Sequence, residues 1–346
     1  MKEGIILTLG IGVIGLGLMG AVHARNCYGR IPGARLIAVS DANTESLEAF
    51  TSEFHLVKGY LDYRELIEDP DVDAIIIAAS SSVHAEIIRG IVPLKKAILC
   101  EKPLTNSMEE SIELHHLISR ASIPFQMGLM RRFDPSYIQA KALIEKGSIG
   151  TPYSFAAISR DKDAYPPSYI SKTSGFFKDT GVHDFDLARW LMGAEVATIH
   201  AQGSAFISEH IKEFGDVDFA QANFTFTSGA FGSIQLTRNA IYGYEIRTEI
   251  LGTNGALQIG WTHRTGTVLL VRDQVIRDTV EDYRLRFEQA YVNEMVEFVR
   301  SVKASQAISP NSYDGVAADL IADAATKSLQ RGTLETVDNG VLESSG

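Results

Sequence analysis

Asp179 and His183 stand four residues apart in the stretch Ser174-Gly175-Phe176-Phe177-Lys178-Asp179-Thr180-Gly181-Val182-His183-Asp184-Phe185-Asp186-Leu187-Ala188-Arg189-Trp190-Leu191. A helix running from Asp179 brings residues 179, 183 and 186 to one face, because neighbours on a helix are three and four apart. A carboxylate beside an imidazole fixes the ring tautomer and raises its basicity for proton abstraction. The same spacing also describes an ordinary helix start, with Asp179 as the cap and His183 as a polar surface residue. Spacing alone leaves both readings open.

A second chemical signal lies near the beginning of the sequence. Ile11-Gly12-Val13-Ile14 reads as a buried strand, Gly15-Leu16-Gly17-Leu18-Met19-Gly20 follows at once, and an apolar-periodic segment continues through Ala24. Strand, glycine turn and helix make a dinucleotide-binding arrangement: Gly15 for the turn, Gly17 for backbone approach to a pyrophosphate, Gly20 for close packing of helix on strand. Leu18 and Met19 open the helix, whose unpaired N–H groups face the phosphates. About 20 residues beyond, the strand Arg35–Ser40 ends at Asp41, where this fold places an acid on the adenosine ribose. A carboxylate there repels a 2′-phosphate, and residues 42–45 contain no Arg or Lys, so the expected cofactor is NAD. The competing reading of Asp41 is a cap for a helix over 44–54.

The elements that position these groups alternate. Asp73–Ala79 is a continuous apolar run of the kind buried on both faces of a parallel sheet. Ala79, Ser80, Ser81 and His84 follow at its carboxyl end, where ligands of such sheets bind; His84 reads equally as a helix-start residue packed on the loop. Ala97–Cys100 is another strand, followed by Glu101 and Lys102, and Pro103 restricts the Lys102 backbone. Such a lysine can donate to a substrate oxygen, although a surface turn would also explain Glu-Lys-Pro. A helix over 107–121 and a strand over 124–127 complete a six-stranded unit.

The second half reads differently. Met130-Arg131-Arg132-Phe133-Asp134-Pro135 leads into a helix over 136–146. Strands are predicted over 152–160, 198–206, 219–227, 230–237, 246–251, 256–259 and 268–271, alternating apolar and polar, and two helices over about 285–305 and 315–330 close the chain. The fold class is therefore α/β: an N-terminal Rossmann doubly wound parallel sheet, then an α+β domain with a large open, mostly antiparallel sheet. The expected domains are 1–128 and 129–346. A sheet with one uncovered face calls for a cover, and a partner subunit is a candidate.

Bulk properties narrow the function classes. The 346 residues are 45% hydrophobic and carry a formal net charge of −11, a balance unsuited to nucleic acid or an anionic membrane. Cys27 and Cys100 are far apart, which suits a reducing cytoplasm and indicates neither a disulfide framework nor a metal site. The apolar run 5–20 is broken by four glycines and is not read as a signal peptide.

Taken together, Gly15 to Gly20, Glu101-Lys102-Pro103, Arg131-Arg132-Phe133-Asp134-Pro135 and the Asp179/His183/Asp184/Asp186 pattern resemble the glucose–fructose oxidoreductase, inositol dehydrogenase and rhizopine-catabolism family (Gfo/Idh/MocA). The likeness spans almost the whole chain and is strongest toward inositol dehydrogenases from Tyr165 through Trp190. It implies catalytic residues Lys102, Asp179 and His183. It also implies a polyol site that includes Arg132, Arg160, Asp161, Tyr242 and Tyr244, and homo-oligomers, tetramers or dimers, assembled through the open sheet. Two features depart from the pattern: Ser80-Ser81-Ser82 replaces the usual Thr-Pro-Asn, and Phe176 replaces a second glycine.

The expected reaction is NAD-dependent oxidation of a ring CH–OH of myo- or scyllo-inositol to the ketone. His183 would act as base, Asp179 would orient it, and Lys102 would steady the alkoxide. No metal is required. Two alternatives remain: a dehydrogenase of another cyclic sugar, such as levoglucosan or an aldose, with the same residues, and a catalytically silent NAD-sensing regulator.

Overall fold

A computed structural model describes residues 8–163, 165–171, 173–260 and 263–342. Residues 5–7 of the apolar run and Lys172 of the segment from Tyr165 through Trp190 lie outside these. The chain divides into two compact units. One comprises the chain up to Met130 together with Ala290–Val316, the other Arg131–Gln289 and the segment from Ala317.

In the first unit, β1 (Leu9–Ile14), β2 (Ala34–Ser40), β3 (Lys58–Tyr60), β4 (Ala74–Ile77), β5 (Ala97–Glu101) and β6 (Phe125–Gly128) form a parallel sheet of order 3-2-1-4-5-6. The order reverses beside β1, the position at which doubly wound sheets bind ligands. The helices are α1 (Leu18–Gly29), α2 (Thr44–Glu53), α3 (Tyr63–Glu68), α4 (His84–Ile91) and α5 (Met108–Ala121). Strand β3 has no apolar run and was not visible in the sequence; its first two residues are exposed at the sheet edge. All four residues of β4 are fully buried, as the continuous apolar run requires.

The glycine turn has a steric cause. Gly15 adopts φ +91°, and a Cβ there would sit 2.6 Å from the backbone of Ala79. A Cβ on Gly20 would lie 1.8 Å from the Gly15 carbonyl oxygen. Only a bare backbone lets the helix start this close to the turn.

The second unit opens with a turn over Met130–Phe133 and α6 (Pro135–Glu145). Asp134 caps α6 by accepting from the Ser136 amide at 3.0 Å, and Pro135 occupies the first helical position. The next strand is β7 (Pro152–Arg160), followed by α7 (Pro167–Ile170), a π-helical turn (Phe177–Gly181) and α8 (Val182–Met192). Then come β8 (Val196–Ser204), α9 (Glu209–Glu213), β9 (Phe219–Phe226), β10 (Phe231–Thr237), β11 (Glu245–Gly252) and β12 (Gly255–Ile259). After a hairpin of β13 (Val268–Val271) and β14 (Gln274–Arg277), the chain forms α10 (Tyr283–Arg286), α11 (Glu288–Ala304), α12 (Ser312–Arg331) and β15 (Glu335–Thr336). The large sheet runs 12-11-7-10-9-8-15, antiparallel except for the parallel pair β7 and β10.

Three expectations are corrected. Strand β13 does not join the large sheet; it pairs only with β14, and its side chains are exposed. The helix expected over 285–305 is two helices separated at Phe287. The boundary at 128/129 with everything after it in one domain does not describe the packing, because Ala290–Val316 returns to the first unit. There Val292, Met295, Phe298 and Val299 of α11 pack in the core with Ile11, Val13 and Leu36. The helical spacing of Phe287, Tyr291, Met295 and Phe298 reads as core but carries no information about which core. Among the described residues no helix is long and apolar enough to cross a membrane.

Gly20→Ala forces the Gly15 turn open. It is expected to lower the unfolding free energy by about 1–3 kcal/mol, the usual cost of an overpacked site, and to weaken NADH binding. Urea unfolding and NADH fluorescence titration measure the two effects.

Candidate active site

The first unit holds a complete dinucleotide cradle. Helix α1 begins after Gly17 without a side-chain cap, so its first-turn amides keep their donors for a ligand. No atom lies within 4 Å of a Cβ built on Gly17, and Leu18 is exposed, whereas Gly15 and Gly20 are closed in by backbone. Asp41 accepts from the Leu16 amide at 2.6 Å and, through its other oxygen, from the Asn43 amide at 2.8 Å. Asn43 is the residue that caps α2, accepting from Ser46 at 2.9 Å, so the capping reading of Asp41 falls away. A carboxylate has about four acceptor sites, and two backbone bonds leave it capacity for ribose hydroxyls. Open space over Gly17, uncapped amides and an anchored carboxylate fit a nicotinamide dinucleotide.

Beyond β4, Ser81 donates to Asn106 at 2.8 Å and Ser80 lies 3.0 Å from the Ser82 hydroxyl. His84 is corrected. It is 1% exposed, and its ring nitrogens are each 3.0 Å from a carbonyl, Nε2 from Ala79 and Nδ1 from Pro103. Burial holds its pKa below the ordinary histidine value. The ring ties the loop after β4 to the loop after β5 and is not offered to a cofactor. Glu101 is likewise engaged, its Oε1 2.8 Å from His23 Nε2 and its Oε2 accepting from the Lys102 amide at 3.2 Å. Burial pushes the Glu101 carboxyl up, but His23 and Lys102 outweigh it and hold the group below its ordinary value. The carboxylate braces the backbone from which Lys102 extends.

In the second unit, nine of the eleven residues of α8 are buried, including His183, Asp184, Asp186 and Arg189. A helix buried all round must pair its charges, since an isolated buried charge is expensive. Arg131 donates to Asp184 at 2.8 Å, and Ser159 donates to the other oxygen at 2.6 Å. Arg132 grips Asp186 through two nitrogens at 2.9 and 2.5 Å and lies over the Trp190 ring. Arg132 was expected at the polyol; its fork is instead spent on α8.

Asp179 sits in the π-helical turn and His183 in the first turn of α8. The expected helix from Asp179 through 186 is thus corrected to a π turn followed by an α-helix, with Asp186 committed to Arg132. Asp179 is no cap: the start of α8 has no side-chain cap. Its carboxylate accepts from Arg238 at 3.3 Å and from the Tyr169 hydroxyl at 3.2 Å. Arg238 is fully buried, donates to Asp216 at 2.9 Å, and its guanidinium stands 4.7 Å from the Phe176 ring centroid. Phe176, 2% exposed, therefore backs the arginine that holds Asp179.

Asp161 and Tyr244 belong to the same neighbourhood: Tyr244 hydrogen-bonds Arg131, and the charge of Asp161 acts on it. Arg160 and Tyr242 do not. Successive strand residues point to opposite faces, and while Ser159 faces α8, Arg160 points away. It donates to Gln235 at 2.8 Å and Tyr242 at 2.7 Å beside Glu245, on the open face of the sheet. Both were expected at the polyol; alternation along β7 turns Arg160, and Tyr242 with it, to the face opposite α8.

Sequence reasoning missed Arg238, Asp216 and the Tyr165/Tyr169 pair. For Arg238 a signal existed: it continues the inward phase of Ile234 and Leu236 past the end of β10.

Comparison with known proteins agrees with these two units. Residues 9–129 match the family model of the oxidoreductase family with an NAD-binding Rossmann fold, and residues 137–258 match the GFO/IDH/MocA C-terminal domain. The chain is 35% identical to scyllo-inositol 2-dehydrogenase (NAD(+)) of Bacillus subtilis over 92% of its length and 94% of that protein. It is 37% identical to myo-inositol 2-dehydrogenase of Thermotoga maritima, covering 92% and 96%. The crystal structure of scyllo-inositol dehydrogenase from Lactobacillus casei with bound NAD(H) and scyllo-inositol superposes with TM-score 0.91 at 28% identity, covering 95% of this chain and 99% of that one. With an NAD cradle in one unit, the half-buried Asp179 and buried His183 in the other, and both family models matched in order, the chain belongs to the Gfo/Idh/MocA family of oxidoreductases.

Proposed function

We propose that this protein oxidises one ring CH–OH of an inositol to the corresponding keto-inositol with NAD as acceptor. The observation that carries this reading is that one unit holds an uncapped glycine turn with Asp41 anchored by backbone amides, while the other holds Asp179, bound by Arg238, four residues before His183. Relatives named for inositol dehydrogenation, at 35% and 37% identity over nearly the whole chain, support the substrate class.

When bound, NAD supplies the hydride acceptor at its nicotinamide ring. The chain's own residues must manage the proton and the developing negative charge on oxygen. His183 takes the hydroxyl proton on a ring nitrogen, and Asp179 steadies the resulting imidazolium. Lys102 donates to the same oxygen as negative charge builds, its backbone braced by Glu101 and by the loop that His84 ties down. The ring carbon loses a hydride and its oxygen a proton, so the products are ketone, reduced cofactor and one proton. Asp41 selects NAD by accepting from both ribose hydroxyls and repelling a 2′-phosphate. Assembly into homo-oligomers through the open sheet face completes the reading.

His183→Ala and Lys102→Ala are expected to bind NADH as the parent does while inositol-dependent NADH production falls about 10²–10⁴-fold, the usual contribution of a general acid or base. Unchanged turnover in both variants contradicts the assignment. For the cofactor, a like charge set near Asp41 costs about 4 kcal/mol at 4 Å and an effective dielectric of 20. kcat/KM is therefore expected to favour NAD over NADP by at least about 100-fold, measured by steady-state absorbance with saturating inositol.

A further inference from the structure

Tyr165 and Tyr169 are not used in the mechanism above, yet they touch both of the carboxyl groups of the second unit's site. Their rings stack with centroids 4.5 Å apart at 23°. From this rigid pair the hydroxyls reach different acids: Tyr165 donates to Asp161 at 3.3 Å, and Tyr169 donates to Asp179 at 3.2 and 3.3 Å, one contact to each carboxylate oxygen. The Arg238 guanidinium lies between aromatic faces, 4.7 Å from the Phe176 centroid and 6.0 Å from that of Tyr165. One aromatic assembly thus locates a cation and two acids.

The two acids are not equivalent. Asp179 has the Arg238 guanidinium at 3.3 Å. Asp161 has no such partner among the described residues; the one side-chain hydrogen bond it receives there is from Tyr165. Of two neighbouring carboxyl groups, the one without the cation keeps its acceptor sites open to a ligand.

We propose that the stacked Tyr165/Tyr169 pair positions Asp161 and Asp179 for separate tasks: Asp179 serves the proton transfer, while Asp161 serves as an acceptor for a substrate hydroxyl. The proposal rests on the inositol dehydrogenase reading given above. An ionised Asp161 accepts charge-assisted hydrogen bonds from polyol hydroxyls, which are the stronger kind; a protonated one accepts less well. Burial first, and the Asp179 charge second, push the Asp161 carboxyl up to about 6, against Arg131, Arg238 and the Tyr165 hydroxyl. The groups around it come from every adjoining element: Arg131 from the turn before α6, Tyr165 and Tyr169 at α7, Asp179 from the π turn, Arg238 after β10 and Tyr244 before β11. Tyr165 and Tyr169 have their own hydroxyl pKa values raised, chiefly by burial, and so remain protonated donors.

The sign of the pH effect follows. Asp161 is ionised above its pKa, so KM for inositol is low at pH 8 and climbs as pH falls through about 6. Tyr165→Phe keeps the stack but removes the donor to the ionised form, which raises the pKa of Asp161. The KM inflection is expected to move roughly 0.5 higher in pH, for a hydrogen bond of ordinary strength, with kcat at pH 8 within about twofold of the parent. Tyr169→Phe is expected to leave the KM inflection in place and lower kcat about tenfold, because its lost donor served Asp179. A merely structural pair would not divide KM from kcat in this way. The companion measurement needs no turnover: 13C-carboxyl NMR titration of the NADH-bound protein, with the Asp161 signal assigned by Asp161→Asn. It is expected to show titration near 6 in the parent and at higher pH in Tyr165→Phe. If the protein turns over no inositol yet the NMR inflection moves, the reaction is wrong and the Tyr165 contact stands. If the NMR inflection is the same in Tyr165→Phe and the parent, the proposal is overturned whatever the kinetics show.

Discussion

Arg238 is buried to zero exposure between Asp179 and Asp216, with Phe176 against its face, and the placement of Asp179 depends on it. Burying a guanidinium is tolerable only when carboxylates meet it, and removing one partner of such a set costs about 3–5 kcal/mol. The same logic repeats along α8, where Arg131 with Asp184 and Arg132 with Asp186 bring the turn before α6 onto the helix. These pairs contribute direction more than net stability, because desolvation offsets much of their attraction. Together they fix the rotation of α8 about its axis, and with it where His183 points. The π turn just before α8 sets the angle at which Asp179 leaves the same segment.

The first unit solves a different problem by steric means. Its turn closes because Gly15 and Gly20 lack Cβ atoms, and Asp41 then locks the turn through the Leu16 amide. Asp41 thereby ties the end of β2 to the glycine turn. At the other rim, the buried His84 ring packs between the loops after β4 and β5, with its nitrogens 3.0 Å from the Ala79 and Pro103 carbonyls.

Elements governed by local pattern were legible in the sequence. The buried run of β4 and the glycine turn each depend on residues close in sequence. What pairs across long separations was not. Arg132 looked like a ligand of the polyol because its partner Asp186 lies 54 positions away, and Arg160 looked like another because strand alternation was not carried one residue past Ser159. His84 read ambiguously because its 3.0 Å partners are backbone carbonyls, which leave no mark on residue type, and its side-chain neighbour Cys100 lies 16 positions away. The short edge strand β3 has too little apolar content to announce itself. Membership of Ala290–Val316 in the first unit is a matter of chain return, to which helical periodicity is blind.

The central claim is direct hydride transfer from a ring carbon of inositol to NAD. Incubation of the purified protein with NAD and inositol deuterated at every ring carbon, followed by mass and NMR analysis of the reduced cofactor, tests it most directly. The account predicts one deuterium at C4 of the nicotinamide ring in each reduced molecule, formed together with the keto-inositol. Reduced cofactor without the label, or none formed from any inositol isomer, would contradict it.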